Sequence, residues 1–303
     1  MVRFVAHRCL QAAPVLFLVS AVVFGALHVI PGDPVDALFP PEASITTDAK
    51  NALRRQLGLD QPLPVQYVTW VGRMLRGDWG TSIASRRPVG GLVAEAWPRT
   101  GALALTSLGI GAAIAVPVGV LLATHQGTAW DVLGSATAML GISLPTFALG
   151  ILFMLVFSVR LHWLPSLGSI VLPAFTQGVG IAAILLRTLR ADLIHQLRAE
   201  YIRTAHAKGL TERAVLTRHV LRNALAGTVT VAGWIFGYQL GGAVVIERVF
   251  TWPGIGLLTV NAIYGRDYPV VLAAVLVFAA TYVLVNLVVD VAYGILDPRI
   301  RYA

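Results

Sequence analysis

The chain has 303 residues, of which 56% are hydrophobic and only 13% are charged, and its net charge is +8. Soluble domains average about 25% charged residues, so this composition excludes a water-soluble globular domain. The excess positive charge is therefore attributed to basic loops beside an anionic membrane lipid surface, and not to nucleic-acid binding. The single cysteine, Cys9, excludes an intrachain disulfide.

Six apolar windows predict membrane-spanning helices, because a span needs about 20 mostly apolar residues. The windows are residues 10–30, 100–124, 132–159, 166–186, 223–246 and 268–289. The first is too long for a signal-peptide core and precedes no small-residue cleavage pattern, so it is interpreted as a retained helix. The fourth is the weakest, because Pro173 and Gly178 interrupt it. The prediction is an all-α polytopic membrane protein with six transmembrane helices.

The charges of the short loops predict the orientation in the membrane. With both termini cytoplasmic, the inside loops and termini carry twelve Lys and Arg, whereas the short outside loops carry three. The positive-inside rule favours this orientation. The chain then divides into a cytoplasmic N-terminus with the first transmembrane helix (1–30), an external helical segment (31–99), a five-helix transmembrane core (100–293) and a cytoplasmic tail (294–303). The core includes a polar cytoplasmic loop at 191–222.

Two short helices are predicted inside the external segment. The first is capped by Thr46 or Thr47 and ends at Gly58, and the second runs from Pro64 to Gly77. The second helix has two neighbouring apolar faces, formed by Val68, Val71 and Leu75 and by Tyr67, Trp70 and Met74. This periodicity leaves open whether the helix rests on the membrane surface or on other helices, or docks an external partner.

The polar loop is too basic to lie in lipid, since eight Lys and Arg stand against three acids between residues 187 and 222. Its pattern predicts a helix from Glu200 to Lys208 that ends at Gly209, where a left-handed backbone is expected. Thr211 then caps a second helix, and Leu210 is left exposed at the corner. Helices this short favour a protrusion that fits a groove on another protein; a solvated charged loop is the alternative.

The polar loop resembles a known motif. The stretch "YIRTAHAKGL" followed by "RHVLRNAL" resembles the EAA loop of ABC importer permeases, which inserts into a groove on the ATPase subunit. Ala205 and Gly209 lie four positions apart, as in that loop. Arg203 and Thr204 stand in place of Glu-Ala, which fits the dipeptide/oligopeptide/nickel permease branch. Gly227 lies close to where that branch usually has a proline.

Seven further segments resemble the same branch, in the order that the family has them, and identify the chain as similar to the first of its two permease types. They are "PGDP" (31–34), "LGLDQPLPVQY" (57–67), "GDWGTS" (77–82), "GISLPTF" (141–147), "LPSLG" (164–168), "ERVFTWPGIG" (247–256) and "NLVVDVAYGILDPRIRY" (286–302). A single match of this length is weak, whereas seven in order are specific.

The resemblance implies a type I ABC importer permease fold in the bacterial plasma (inner) membrane. It implies a heterodimer with a second, homologous permease, two cytoplasmic ATPase subunits that bind ATP and Mg²⁺, and an extracellular or periplasmic substrate-binding protein. Import of dipeptides or oligopeptides is implied, or less often of nickel or glutathione. The residues to which it assigns ATPase coupling are Tyr201, Arg203, Thr204, Ala205, Ala207, Lys208, Gly209 and Leu210.

We expect a non-catalytic subunit that binds no cofactor or metal. The chain contains no GxxxxGK[ST], HExxH or GxSxG motif. His195, His206 and His219 are spaced too widely in the sequence for a compact metal site. The alternative function is a secondary transporter that works without an ATPase, and such a protein is expected to show repeats or several intramembrane ionisable groups.

Asp290 abuts the last apolar window and lies four residues after Asn286, so both side chains share one side of a helix. A structural polar pair near the interface, completed by Arg299 or Arg190, is favoured over a proton relay, because one carboxylate gives no chain across the membrane.

The loop "FTWPGIG" is interpreted in two ways. Its aromatic side chains suit a turn at the level of the lipid headgroups, and its position on the outside suits a gate beneath a binding protein. The gate hypothesis assigns Glu247, Phe250, Trp252, Pro253, Gly254 and Gly256.

Overall fold

The computed structural model describes residues 2–29, 46–57 and 60–296. All regular elements in these ranges are helices, and β-pairing there is limited to an antiparallel bridge between Thr81 and Pro88. The helices are α1 (Val2–Val29), α2 (Thr47–Leu57), α3 (Leu63–Leu75), α4 (Val89–Thr124), α5 (Ala129–Ser143), α6 (Thr146–Phe153), α7 (Val171–Leu197), α8 (Glu200–Ala207), α9 (Glu212–Val215), α10 (Leu221–Gly242), α11 (Val244–Val249), α12 (Ile255–Tyr264) and α13 (Tyr268–Leu296). Two π-helical turns, Met154–Arg160 and Leu216–Val220, follow α6 and α9. The all-α prediction is confirmed.

Each of the six predicted windows contains a helix, but the helices differ in apolar length. In the described part of the chain, α4, α7 and α13 are long and apolar enough to cross a membrane. A fourth span is formed if α5 and α6 with its π-helical turn are counted together. Helix α1 covers the first window, and its residues Leu10–Ala26, whose side chains are described, form an apolar stretch. Helix α10 has 22 residues but includes Arg222, Asn223 and Gln239, which lower its hydropathy.

The third predicted window is not one continuous helix. Helices α5 and α6 are bent by 102° at the break between them. Leu144 adopts an extended backbone with φ −79° and ψ 129°, which is the conformation that a following proline imposes on its neighbour. Pro145 then precedes the first residue of α6, where its missing N–H breaks no helical hydrogen bond. The bend therefore has a local cause in the Leu144–Pro145 dipeptide.

The described part of the chain divides into two compact units. Unit one contains residues 101–252 and 284–296 of the described chain, and unit two contains residues 2–29, 46–57, 60–100 and 253–283. Helix α4 begins in unit two and continues into unit one, and so does α13.

In unit one, α4 and α7 approach closely at two glycines. A Cβ atom at Gly111 of α4 would lie 2.6 Å from Cγ2 of Ile181, and one at Gly178 of α7 would lie 2.7 Å from Cγ2 of Ile110. Each glycine thus receives the isoleucine of the opposite helix. Beside this contact the buried Ser107 hydroxyl lies 2.9 Å from Oε1 of Gln177, in a reciprocal arrangement of small residues that is typical of membrane helix pairs.

In unit two, α3 packs against α1 through one of its two predicted apolar faces. The hydroxyl oxygens of Tyr67 and Ser20 lie 2.6 Å apart. The Phe24 ring is 5.5 Å from the Tyr67 ring and 5.6 Å from the Trp70 ring, centroid to centroid. On the other face Val68 is 68% exposed and Leu75 is 83% exposed, whereas Val71 is half-buried. The predicted end of α2 at Gly58 lies outside the described residues.

Unit two also contains a buried carboxylate that holds a loop. Asp267 is 3% exposed and accepts hydrogen bonds from the Ser82 hydroxyl at 2.5 Å and from the N–H groups of Ile83 at 3.1 Å and Ala84 at 3.2 Å. Three donors on one carboxylate fix the turn between Thr81 and Pro88, which the bridge closes.

Asp267→Ala is expected to release this turn, because it leaves two N–H groups without their acceptor. Hydrogen bonds to a charged group contribute about 1.5–3 kcal/mol each, so amide exchange at Ile83 and Ala84 should accelerate roughly tenfold or more. Hydrogen exchange with mass spectrometry measures the exchange rates of these two amides. Asp78→Ala is the control, because the Asp78 carboxylate is exposed and accepts one N–H, from Gly80 at 3.1 Å. Unchanged exchange in the Asp267 variant would contradict the role of the carboxylate.

Candidate functional site

The polar loop folds as two short helices joined at a glycine. Helix α8 ends at Ala207, and Gly209 adopts φ +79°, the left-handed conformation expected for it. Its N–H donates to the His206 carbonyl at 2.9 Å, which satisfies an acceptor at the helix end. The Thr211 hydroxyl accepts from the Ala214 N–H at 3.4 Å and caps α9. The predicted helix ends and cap are confirmed.

One face of α8 is buried in unit one. Ile202 is 6% exposed and Ala205 is 7% exposed, and both belong to an apolar cluster with Leu189 and Leu193 of α7. The half-buried Tyr201 packs beside this cluster, and its hydroxyl donates to Gln196 Oε1 at 2.7 Å. The structure therefore places Tyr201 and Ala205 facing the chain's own core, where they hold α8 in place.

The other six residues that the resemblance assigns to ATPase coupling are exposed together. They are Arg203, Thr204, Ala207, Lys208, Gly209 and Leu210, and we call them the coupling surface. Leu210 is 37% exposed at the corner between the two helices. The basic residues are Arg203, which pairs at 3.5 Å with the exposed Glu200, and Lys208. The coupling surface thus combines positive charge with an exposed leucine. The opposite face of α8 anchors the helix to unit one.

A basic groove follows the coupling surface along the chain. It has a volume of about 690 Å³. Its lining residues are Thr217, Arg218, His219, Leu221, Arg222 and Leu225. Arg218 belongs to the π-helical turn and Arg222 to the first turn of α10, so the positive charge of the polar loop continues past the residues assigned to ATPase coupling.

Ala205→Glu is expected to detach α8 from unit one, because a carboxylate would replace a buried methyl group. An unpaired buried charge costs about 3 kcal/mol or more. Ala207→Glu is the matched control, since it lies two residues away on the exposed face. Limited proteolysis should cut the Ala205 variant faster between residues 198 and 212 and leave the Ala207 variant like the wild type. Equal resistance of both variants would show that α8 is not anchored through Ala205.

The residues of the gate hypothesis are mostly buried within their own units. In unit one, Glu247 is 0% exposed and Phe250 is 2% exposed. Phe250 belongs to an apolar cluster with Leu103 and Leu172. Trp252 is half-buried against the same cluster. The Phe250 ring is part of the core, so it is not one of the lipid-facing aromatic side chains that a turn at headgroup level would use.

The remaining gate residues belong to unit two. Gly254 and Gly256 are buried and Pro253 is exposed. The Ile255 N–H at the start of α12 donates to the Thr100 hydroxyl at 2.9 Å, which fixes this end of the loop. A role of these residues in a gate stays a prediction.

The predicted polar pair is only partly described. Asn286 is half-buried, whereas the side chain of Asp290 and all of Arg299 lie outside the described part of the structure. Arg190 has a different partner from the predicted one. Its guanidinium makes two hydrogen bonds to Asp131 of α5, at 2.7 and 2.8 Å. The sequence does not reveal this contact, because the two residues are 59 positions apart. Its one signal in the sequence is an acid at the edge of an apolar window.

The chain matches two related families of transport-system membrane components. Residues 115–302 match the binding-protein-dependent transport system inner membrane component family. Residues 1–104 match the N-terminal family of binding-protein-dependent transport system membrane components. The chain belongs to this family. It is a permease subunit of an ABC importer and a multi-pass membrane protein of the inner membrane, and such permeases work with ATPase subunits and substrate-binding proteins.

Similar proteins match the permease over its full length. The glutathione transport system permease proteins GsiC of Salmonella typhimurium (strain LT2) and Escherichia coli (strain K12) are each 42% identical to it over 307 residues. The alignment covers 100% of both chains in each case.

Solved structures confirm the type I importer fold of the permease. An inward-facing MetNI methionine ABC transporter matches with a TM-score of 0.60 and 21% identity, covering 68% of this chain and 96% of that chain. An amino acid ABC transporter crystallised with histidines matches with a TM-score of 0.56 and 11% identity, covering 67% and 93%. At these identities the likeness concerns the fold alone.

Proposed function

We propose that the coupling surface inserts into a groove of a cytoplasmic ATPase subunit and transmits ATP-driven motion to the permease. The observation that carries this proposal is that α8 has one buried face and one exposed face. Ile202 and Ala205 fix the helix to α7, while the opposite face is exposed and basic. A solvated loop would need no such anchor, whereas a part that transmits force must be held firmly by the body that it moves.

The proposed cargo is a short peptide, delivered by the substrate-binding protein. The full-length relatives are named for glutathione transport, and glutathione is itself a tripeptide. The motifs that resemble the dipeptide/oligopeptide/nickel branch support the same chemical class. Glutathione is therefore one candidate among di- and oligopeptides, and nickel is the alternative cargo within the family.

The proposed assembly contains this permease, a second, homologous permease and two ATPase subunits. ATP and Mg²⁺ are bound by the ATPase subunits, and this chain has no catalytic role. Support comes from the sequence, which has no phosphate-binding GxxxxGK[ST] motif. Both termini are proposed to be cytoplasmic, on the same side as the polar loop, in agreement with the excess of Lys and Arg there.

Reconstitution tests this function. The complex with its second permease, ATPases and binding protein is placed in nanodiscs, and ATP hydrolysis is measured with glutathione, with a dipeptide and with Ni²⁺. We expect a peptide to stimulate hydrolysis severalfold, and the isolated chain to bind no ATP. Uptake into vesicles that needs an ion gradient but no ATPase would instead support the secondary-transporter alternative. Nucleotide hydrolysis by the isolated chain would contradict the proposal.

A further inference from the structure

Asp131 is a buried acid that lies outside the coupling surface. It is 4% exposed, in the first turn of α5. Its Oδ1 accepts from Nε of Arg190 at 2.7 Å, and its Oδ2 accepts from Nη2 of the same guanidinium at 2.8 Å and from the Gly127 N–H at 2.9 Å. A two-bond fork between guanidinium and carboxylate fixes direction as well as distance. The pair therefore locks α5 to α7 in one relative orientation.

Arg190 lies on the part of α7 that carries the coupling helix. Its neighbours Leu189 and Leu193 are 0% exposed and pack in one cluster with Ile202 and Ala205 of α8. The last turns of α7 thus present one face to α8 and a neighbouring face to α5. Any displacement of α8 reaches Leu189 and Leu193 directly, and Arg190 belongs to the same rigid helix.

The loop before α5 is tied to α7 at a second point. Arg198, after the last residue of α7, donates to Oε1 of Gln126 at 3.2 Å. This contact is exposed, so it contributes little by itself. Together with the Gly127 N–H on Asp131, it keeps the short α4–α5 loop beside the start of α8.

Helix α5 leads to the sharpest bend among the described spans. It ends at Ser143, before the 102° break that separates it from α6. It also approaches α4 closely at Gly134, where an added Cβ atom would lie 2.6 Å from Cδ2 of Leu122. A rotation of α5 at its Asp131 end is therefore passed along a stiff helix to the break.

We propose that Asp131 and Arg190 form a positioning pair that makes α5 follow the motion of the coupling helix. This inference rests on the proposed coupling function of α8. Apolar contacts between α5 and α7 are non-directional, so they hold the two helices in register less firmly than a two-bond fork does. The ion pair resists separation, since parting it leaves the buried Asp131 carboxylate without its charged partner, while the Arg190 side chain is 26% exposed. The pair thus converts a movement of α7 into the same movement of α5.

The test compares transport per ATP hydrolysed in proteoliposomes that contain the complete importer. The variants are Arg190→Lys, which keeps the charge but loses the fork, and Asp131→Asn, which loses the charge. We expect both complexes to assemble with their ATPases and the ratio to fall about tenfold in Asp131→Asn, within the range of coupling between sites. The ratio should fall less in Arg190→Lys. A merely structural pair would lower yield and thermal stability without changing this ratio.

Two further variants serve as a control and as a rescue of the ion pair. Glu95→Gln is the control, because it breaks the exposed Arg87–Glu95 ion pair and should leave the ratio unchanged. The exchange of Asp131→Arg with Arg190→Asp should restore much of the lost ratio.

Two results would overturn the positioning role. One is a normal ratio in the assembled single variants, and the other is a failure of both single variants to assemble at all. Failure of the wild-type complex to couple peptide uptake to hydrolysis would instead refute the proposed function, so the two failures can be told apart.

Discussion

Gly209→Val is expected to abolish binding of the ATPase subunits while the rest of the permease stays folded. The backbone there has φ +79°, which costs a residue with a β-carbon about 1 kcal/mol or more. Apart from its chain neighbours, no atom of the described residues lies within 4 Å of a Cβ atom added here, so the new side chain would project into the space that the proposed partner occupies. We expect co-purification of the ATPases and peptide-stimulated hydrolysis to fall about tenfold or more, equivalent to 1.4 kcal/mol of binding free energy or more.

Gly168→Val is the matched control for this experiment. Gly168 has φ +77° and likewise no atom within 4 Å of an added Cβ, so the strain is the same. It lies between the π-helical turn Met154–Arg160 and α7, far along the chain from the polar loop. The control variant should retain its ATPases. If Gly209→Val also retains them at the wild-type level, the polar loop is only a solvated connection.

Gly111→Leu is expected to disrupt the packing of α4 on α7. An added Cβ alone would lie 2.6 Å from Ile181 Cγ2 and 3.2 Å from the Gly178 carbonyl oxygen, and the latter cannot move without shifting the helix. Overpacking of this kind costs about 1–3 kcal/mol and more where backbone must move. The yield of monodisperse protein in detergent and its thermal unfolding temperature should both fall.

Gly109→Leu is the control for that change. It lies two residues earlier on α4, is exposed and meets nothing within 4 Å of an added Cβ. We expect normal yield and unfolding from this variant. Similar behaviour of the two leucine variants would mean that α4 and α7 do not meet at these glycines.

The local structure of the polar loop was predictable from the sequence because its signals act over a few residues. Gly209 ends one helix through its own backbone freedom, and Thr211 caps the next through a hydrogen bond to an N–H three residues away. Neither effect depends on distant parts of the chain, so both could be predicted from the sequence alone. Which face of α8 is buried could not be read, because the pattern around Ala205 does not say where Leu189 and Leu193 lie.

The features that escaped prediction depend on contacts between distant residues. Asp131 and Arg190 are 59 positions apart, and no local pattern joins an acid at the start of one helix to an arginine near the end of another. Phe250 was interpreted from its aromatic neighbours, whereas its position is decided by a cluster with Leu103 and Leu172. Pro145 in the third window is compatible with a bent helix, but hydropathy gives no angle for the bend, because a sum over an apolar window does not register the direction of the backbone.

The coupling surface is tested most directly by site-specific photo-crosslinking in the complete importer. A photoreactive side chain is placed either at Ala207, on the coupling surface, or at Trp163, which is 70% exposed in the loop before α7. Both sites are accessible, so reactivity alone does not distinguish them. We expect the probe at Ala207 to form a covalent adduct with an ATPase subunit and the probe at Trp163 to form none. Equal crosslinking from both positions, or none from Ala207, would contradict the account.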